Sequence, residues 1–210
     1  MNDAPIAITM GDPAGIGPEL LLRAWLARDT IAAPFFALAD PDALAGLALR
    51  LGLAVPIAVV DPTETSAVFA DALPVVPLAN PAAARAGQPH SDFAAATIEA
   101  IERAVNYIRT GEARAIVTNP IAKKALYDAG FAHPGHTESL GELATAWGEP
   151  AQPVMMIWSP LLAVVPVTIH IPLAAVSAAL SRELVVSTAR IVARDMRSRF
   201  GIERPRLALA

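Results

Sequence analysis

The chain has 210 residues, no cysteine and a formal net charge of −4. Its length fits one domain or two small ones, the lack of cysteine excludes disulfides and thiolate sites, and the mild acidity offers no basic surface for nucleic acid. Apolar residues make up 54% of the chain and aromatic residues only 5%. This composition favours helices that pack small aliphatic side chains against a buried sheet.

The start of the chain and its longest apolar stretch bear on location. No basic segment followed by an apolar one opens the sequence, so no signal peptide is predicted. Residues 154–173 are the longest candidate for a membrane span, but Pro160, Pro166, His170 and Pro172 interrupt them. A bilayer span needs about 20 predominantly apolar residues. We therefore predict a cytoplasmic protein with neither a membrane nor a nucleic-acid partner.

In chain order, the pattern predicts strands that alternate with helices. Strands are predicted at residues 5–10, 34–38, 55–60, 75–76, 115–118, 154–158, 161–167 and 206–210. Helices are predicted at residues 18–27, 41–51, 92–110, 123–129, 139–147, 173–180 and 183–200. The alternation implies an α/β domain with a mostly parallel sheet. The two strands joined at Ser159-Pro160 read as an antiparallel pair, which suggests a mixed sheet.

A glycine-rich segment, Thr9-Met10-Gly11-Asp12-Pro13-Ala14-Gly15-Ile16-Gly17-Pro18-Glu19, joins the first strand to the first helix. Glycines let backbone amides approach a ligand, and a helix N-terminus favours phosphate or carboxylate. Gly11, Asp12, Gly15 and Gly17 are therefore candidates for an anion-binding loop. The spacing matches neither GxGxxG nor the Walker phosphate loop. A tight strand-to-helix turn without a ligand explains the segment about equally well.

A second polar segment follows the strand at 115–118. It begins at Thr118-Asn119-Pro120-Ile121-Ala122-Lys123-Lys124 and ends at Gly135-His136-Thr137-Glu138. Lysine supplies a point charge for phosphate, and histidine moves protons near neutral pH. The segment is a candidate site for an anionic substrate. Two adjacent lysines are also typical of a solvated helix face, and that interpretation stays open.

His170 ends an apolar strand just before Pro172. A histidine there is well placed to line a cleft, although alone it is more often structural than a metal ligand. No HxH or HxxxH pair supports a local metal site. Any metal would need ligands from distant segments.

Together these three segments resemble the 4-hydroxythreonine-4-phosphate dehydrogenase family. The matching residues are ITMGDPAGIGPEL near the start, TNPIAKKALYDAG with GHTE in the centre, and Ile169-His170-Ile171-Pro172-Leu173. The resemblance covers the whole chain, as roughly the first two-thirds of a family member. It implies an isocitrate/isopropylmalate dehydrogenase-like α/β/α fold, truncated here, with an uncertain subdomain boundary. It also implies a homodimer with its active site at the subunit interface.

The resemblance further implies a reaction. Family members use NAD or NADP with a divalent metal (zinc, magnesium or cobalt) to oxidise the secondary alcohol of 4-phosphohydroxy-L-threonine. The resulting β-keto acid decarboxylates to 3-amino-2-oxopropyl phosphate in pyridoxine biosynthesis. By motif position, the resemblance implies that His136 and Thr137 bind substrate and that His170 is one of three metal-ligating histidines. It also implies that Lys123 lies near the substrate phosphate or acts as a proton-transfer partner.

Two residues depart from the family pattern. Asn119 stands where a small residue is common, and Ala122 stands where a polar residue often appears. Further metal, substrate and nucleotide residues of the family lie beyond the matched part, so we expect the 210-residue chain to be nearly inactive. Two other enzyme functions remain open: oxidation of threonate or erythronate 4-phosphate, and acyl transfer to phosphate on a related fold. A binding or regulatory module is the non-enzymatic alternative.

Overall fold

The computed structural model describes residues 3–31, 33–80, 82–131, 133, 136–145 and 152–210, with the backbone alone at 136–138. The chain divides into two compact units, Met1–Ala151 and Gln152–Ala210. Each unit is described by itself.

The first unit is built on a parallel sheet. Its strands are β1 (Ile6–Thr9), β2 (Phe35–Ala39), β3 (Ile57–Val59), β4 (Leu73–Pro77) and β5 (Ala115–Thr118). Their spatial order is β3-β4-β2-β1-β5, and every pairing is parallel. Ile6 of β1 is in register with Phe35 of β2 and with Ala115 of β5. All five strands therefore end at one carboxyl edge, where loops can gather ligand-binding residues.

The helices of this unit are α1 (Gly17–Leu26), α2 (Pro41–Leu51), α3 (Thr65–Val68), α4 (Ala94–Thr110), α5 (Lys123–Asp128) and α6 (His136–Thr145). Their starts follow local sequence rules. The Asp40 carboxylate accepts hydrogen bonds from the backbone N–H groups of Asp42 and Ala43 at 3.0 Å, and Pro41 fills the first helical position. Pro18 has the same role near the start of α1.

Both faces of the sheet are buried. Successive residues of β2 point to opposite faces: Phe35 packs with Leu22 and Trp25 of α1, and Phe36 packs with Ala100 and other residues of α4. The indole nitrogen of Trp25 donates to the carbonyl of Phe69 at 2.9 Å, so this large buried side chain has no unpaired polar atom. The unit is therefore an α/β/α sandwich.

The second unit contains a short antiparallel pair, β6 (Ile157–Trp158) and β7 (Ala163–Val164), and two helices, α7 (Leu173–Ala179) and α8 (Arg182–Ser198). The Ser159 hydroxyl accepts from the backbone N–H of Leu162 and closes the hairpin turn. The Ser181 hydroxyl caps α8 by accepting from the N–H of Leu184.

The α/β class and the mostly parallel sheet are confirmed. The antiparallel pair forms a separate two-stranded sheet, not part of a mixed main sheet. The predicted strand at 206–210 was wrong, since those residues have no ladder partner among the described residues and form no regular element. The predicted helix at 139–147 extends beyond the described residues. No helix among the described residues is long and apolar enough to cross a membrane.

Candidate functional site

The carboxyl ends of β1 and β5 lie side by side, because Thr9 is in register with Thr118. The glycine-rich segment leaves β1 at this point, and the segment that carries Lys123 leaves β5. Two of the three sequence motifs are thus adjacent in space. The backbone N–H of Asp12 donates to the carbonyl of Pro120 at 2.9 Å and joins them directly.

Close packing explains two of the glycines. Gly11 has a φ of 72°, and a Cβ built on it would lie 2.4 Å from the carbonyl oxygen of Pro120. A Cβ on Gly17 would lie 2.0 Å from the carbonyl oxygen of Met10. Neither neighbour is a flexible side-chain end, so neither can move aside cheaply. Both glycines are required by backbone contacts of the protein itself.

Asp12 accepts hydrogen bonds from two backbone N–H groups of its own loop. Its Oδ1 accepts from the N–H of Ala14 at 2.9 Å, and its backbone carbonyl accepts from the N–H of Gly15 at 2.9 Å. With the Asp12 amide bound to Pro120, three N–H donors of the loop are already used. A ligand would meet the remaining amides near the start of α1, so anion binding by this loop stays a prediction.

A cavity of about 130 Å³ lies beside the glycine-rich segment, on the side of β2. Gly15, Glu19, Asp40 and Arg50 are among its lining residues. Lys123 does not line the cavity. It follows β5, which pairs with β1 on the side away from β2. The cavity and the lysine segment are therefore separate features of this edge.

Lys123 and Lys124 begin α5 and are the only lysines of the chain. Both are exposed. The Nζ of Lys124 donates to the Asp128 carboxylate at 2.6 Å, one helical turn away. Among the described residues, no ion-pair partner faces Lys123. Its ammonium group is therefore the one available to an anionic ligand.

The other predicted site residues are placed less fully. His136 and Thr137 belong to the backbone of α6, but their side chains lie outside the described part of the structure. His170 belongs to the second unit, is exposed and has a φ of 58°. A left-handed backbone costs a non-glycine residue about 1–2 kcal/mol. Residues with such strain cluster at active sites and ligand clamps.

A metal site would need several ligating side chains close together. Across residues 3–145 and 152–210, apart from the few positions not described, no group of three His, Asp or Glu side chains comes together as a metal site. The role of His170 as one imidazole ligand stays a prediction. The complete set implied by the family resemblance is not assembled by these residues.

A carboxylate on α4 holds the loop after β4. The Glu99 carboxylate accepts from the N–H groups of Ala79 and Asn80 at 2.8 and 2.9 Å, and from Arg103 at 3.0 Å. Burial raises the pKa of Glu99, but these bonds and one from the Asn80 side chain outweigh it and hold the pKa below 4.5. Arg103 also donates to the carbonyl of Pro77.

Sequence reasoning missed two buried side chains at this edge. The Asn119 amide donates to the carbonyl of Thr9 at 2.9 Å, and the Thr97 hydroxyl donates to the carbonyl of Gly11 at 3.2 Å. The signal for Asn119 was its place between a predicted strand and a proline. Thr97 carried no signal, because its partner lies 86 residues away.

Parallel strands with glycine-rich and polar loops at their carboxyl ends define an α/β protein of the kind that binds small molecules at a sheet edge. The family model described as "Pyridoxal phosphate biosynthetic protein PdxA" matches residues 30–210. The chain belongs to this PdxA family.

Individual proteins that are similar to this chain point to the same family. A 4-hydroxythreonine-4-phosphate dehydrogenase of Methylorubrum populi is 54% identical over 213 residues, which cover 100% of this chain and 61% of that protein. One from Bradyrhizobium diazoefficiens is 49% identical over 98% of this chain and 62% of its own length. The crystal structure of a 4-hydroxythreonine-4-phosphate dehydrogenase from Burkholderia phymatum has a TM-score of 0.82 and 30% identity, over 97% of this chain and 61% of that one.

These findings confirm the family resemblance and the isocitrate/isopropylmalate dehydrogenase-like fold that it implied. The chain spans about 61% of the length of the Methylorubrum populi relative. The roles of Lys123, His136, Thr137 and His170 remain predictions.

Proposed function

We propose that this chain is the substrate-side part of an NAD(P)-dependent, metal-requiring dehydrogenase that oxidises 4-phosphohydroxy-L-threonine in pyridoxine biosynthesis. The observation that carries the proposal is the 54% identity to the Methylorubrum populi 4-hydroxythreonine-4-phosphate dehydrogenase across 100% of this chain. The joined ends of β1 and β5 support it, because the cationic segment lies at the carboxyl edge of the sheet, where α/β proteins commonly bind ligands.

Lys123 supplies a positive charge for the phosphate group of the substrate. It is exposed and has no ion-pair partner among the described residues, whereas Lys124 is held by Asp128. His136 and Thr137 are proposed to bind the substrate from the start of α6, as the family resemblance implies. Proton transfer by Lys123 is the competing role, and the two roles respond differently to substitution.

His170 is proposed to hold a divalent cation (zinc, magnesium or cobalt) as one of several ligands. When bound, the metal supplies a Lewis acid at the reacting hydroxyl, and NAD or NADP accepts the hydride. The chain's described residues do not complete the ligand set. We therefore expect the 210-residue chain alone to have little or no activity.

A homodimer is proposed as the working form, with its active site at the subunit interface. Exposed apolar side chains in the second unit support this, among them Trp158 at 59% and Leu161 at 97% exposure. Isolated exposed apolar residues are common, but a concentration of them favours an interface. Light scattering coupled to size-exclusion chromatography of the protein would detect the dimer. A monomer at micromolar concentration would contradict the proposed homodimer.

A chimera tests the function directly. This chain replaces the matching part of the Methylorubrum populi enzyme, and formation of reduced nicotinamide is measured with 4-phosphohydroxy-L-threonine. We expect turnover that a metal chelator abolishes. Threonate and erythronate 4-phosphates are assayed alongside, and a higher kcat/KM on either would reassign the substrate. A chimera that is folded but inactive, beside an active relative, would contradict the proposal.

In the same chimera, Lys123→Met should raise KM about 10- to 100-fold, since one charge-assisted hydrogen bond is lost. Lys123→Arg should restore most of the affinity, because it keeps the charge. Lys124→Met is the matched control and should change KM little. If Lys123 transfers a proton instead, kcat falls, its pH profile changes, and arginine does not rescue it.

A further inference from the structure

The side chain of Asn119 lies between the two segments that meet at the sheet edge. It is 8% exposed, and its amide nitrogen donates to the carbonyl of Thr9 at 2.9 Å. Pro120 follows, and proline has no N–H to extend the ladder between β5 and β1. The Asn119 amide supplies a donor just where the backbone cannot continue the pairing.

Two glycines make room for this residue. A Cβ on Gly11 or on Gly17 would lie 2.9 Å from the Cβ of Asn119, which is closer than real Cβ contacts allow. The glycine-rich segment therefore wraps around Asn119, and its glycines at 11 and 17 are matched to that side chain. The contacts of Asn119 with Thr9, Gly11 and Gly17 are called the Asn119 brace below.

The brace is reinforced from two directions. The N–H of Asp12 donates back to the carbonyl of Pro120 at 2.9 Å, so hydrogen bonds run both ways between the segments. The Thr97 hydroxyl, on α4, donates to the carbonyl of Gly11 at 3.2 Å. Lys123 starts α5 only a few residues after Asn119. A residue that fixes the start of this segment also fixes where the Lys123 backbone lies.

We propose that Asn119 is a positioning residue: the Asn119 brace holds the glycine-rich segment and the Lys123 segment in one arrangement, so that Lys123 meets the substrate phosphate. The brace itself follows from the contacts above. Its link to substrate rests on the proposed function, in which Lys123 binds phosphate. Asn119 touches neither substrate nor cofactor in this proposal and acts through Lys123.

The test uses the 210-residue chain and the variant Asn119→Ala, which keeps the Cβ but removes the donor. Hydrogen exchange is measured at the amides of Asp12 and Gly15, which lie in the braced segment. We expect about 5- to 10-fold faster exchange there, as for the loss of one buried hydrogen bond, with unchanged exchange in β3 and β4. Asn106→Ala is the matched control, since Asn106 is exposed on α4 and should leave these amides unchanged.

A second measurement reads the position of Lys123. An amine-reactive reagent labels Lys123 and Lys124, the chain's only lysines, so each label is assigned by mass spectrometry. In the chimera that carries this chain, 4-phosphohydroxy-L-threonine should protect Lys123, and Asn119→Ala should require about 10-fold more ligand for equal protection. Lys124 is the internal reference. A merely structural role would leave this ratio unchanged.

The outcomes separate the two proposals. Unchanged exchange at Asp12 and Gly15, or a uniform increase across the whole sheet, overturns the brace. Equal protection of Lys123 in wild-type and variant overturns the positioning role. If the ligand does not protect wild-type Lys123, the substrate role of that lysine fails, and so does positioning through it. Thr97→Val gives a second variant if Asn119→Ala does not fold, and it should speed exchange of the same amides.

Discussion

The two units bury their apolar residues to very different degrees. In Met1–Ala151, β2 is buried along its whole length between α1 on one face and α4 on the other. In Gln152–Ala210, Val192 is the only buried apolar side chain among the described residues, while Leu161 and Leu173 are 97% and 88% exposed. Since apolar burial is the main stabilising contribution to folding, the stability of the chain is concentrated in the first unit.

The test with the largest expected effect on stability removes one apolar side chain from each unit. Phe36→Ala leaves a cavity between β2 and α4 and should lower the free energy of unfolding by about 3–5 kcal/mol. In the dilute, monomeric chain, Leu161→Ala should change it by no more than about 0.5 kcal/mol, because that side chain is then in water. Both are measured by urea denaturation. A comparable loss in both variants would show that the second unit buries Leu161 in solution.

A smaller effect separates two glycines within the first unit. Gly17→Ala forces a Cβ toward the Met10 carbonyl and should cost about 1–3 kcal/mol. Gly46→Ala is the matched control: it lies inside α2, where a Cβ meets only the end of the Arg50 side chain at 3.4 Å. That change should stabilise the helix by up to about 1 kcal/mol. Thermal unfolding measures both, and a neutral Gly17→Ala would mean that the loop has room to relax.

The same contrast explains what the sequence could predict. Residues 41–51 were predicted as a helix with the observed bounds, because Asp40 and Pro41 are local signals for its start. The strand at 206–210 was wrong, since an apolar run does not reveal whether a partner strand is present. The same limit affected the antiparallel pair, which was placed at 154–158 and 161–167 but forms a ladder over two residues on each side.

The candidate site was predictable only in part. Its segments could be found from glycine spacing and clustered polar residues, and the family resemblance was then confirmed. The Asn119 brace could not be predicted from the sequence, because the hydrogen bond from Asn119 to Thr9 joins residues 110 positions apart. The glycines looked like an anion loop by sequence, and the structure adds a second reason for them, which is space for Asn119.

The smallest expected effect concerns acid stability. Hydrogen bonds to the Glu99 carboxylate hold its pKa below 4.5 despite burial. Because the folded pKa is the lower one, this group stabilises the fold above pH 4.5, and the contribution is lost as pH falls through the folded pKa. The acid limb of unfolding in the first unit should therefore steepen below pH 4.5.

Glu99→Gln removes the charge that Ala79, Asn80 and Arg103 bind. It should cost about 1–2 kcal/mol at neutral pH and make unfolding less dependent on pH below 4.5. Glu203→Gln, at an exposed position of the second unit, is the matched control and should do neither. Equal acid sensitivity in Glu99→Gln and wild-type would assign the acid limb to other carboxylates. If only Glu99→Gln loses the dependence of unfolding on pH, the pH-sensitive contact lies in Met1–Ala151, at the loop that leaves β4.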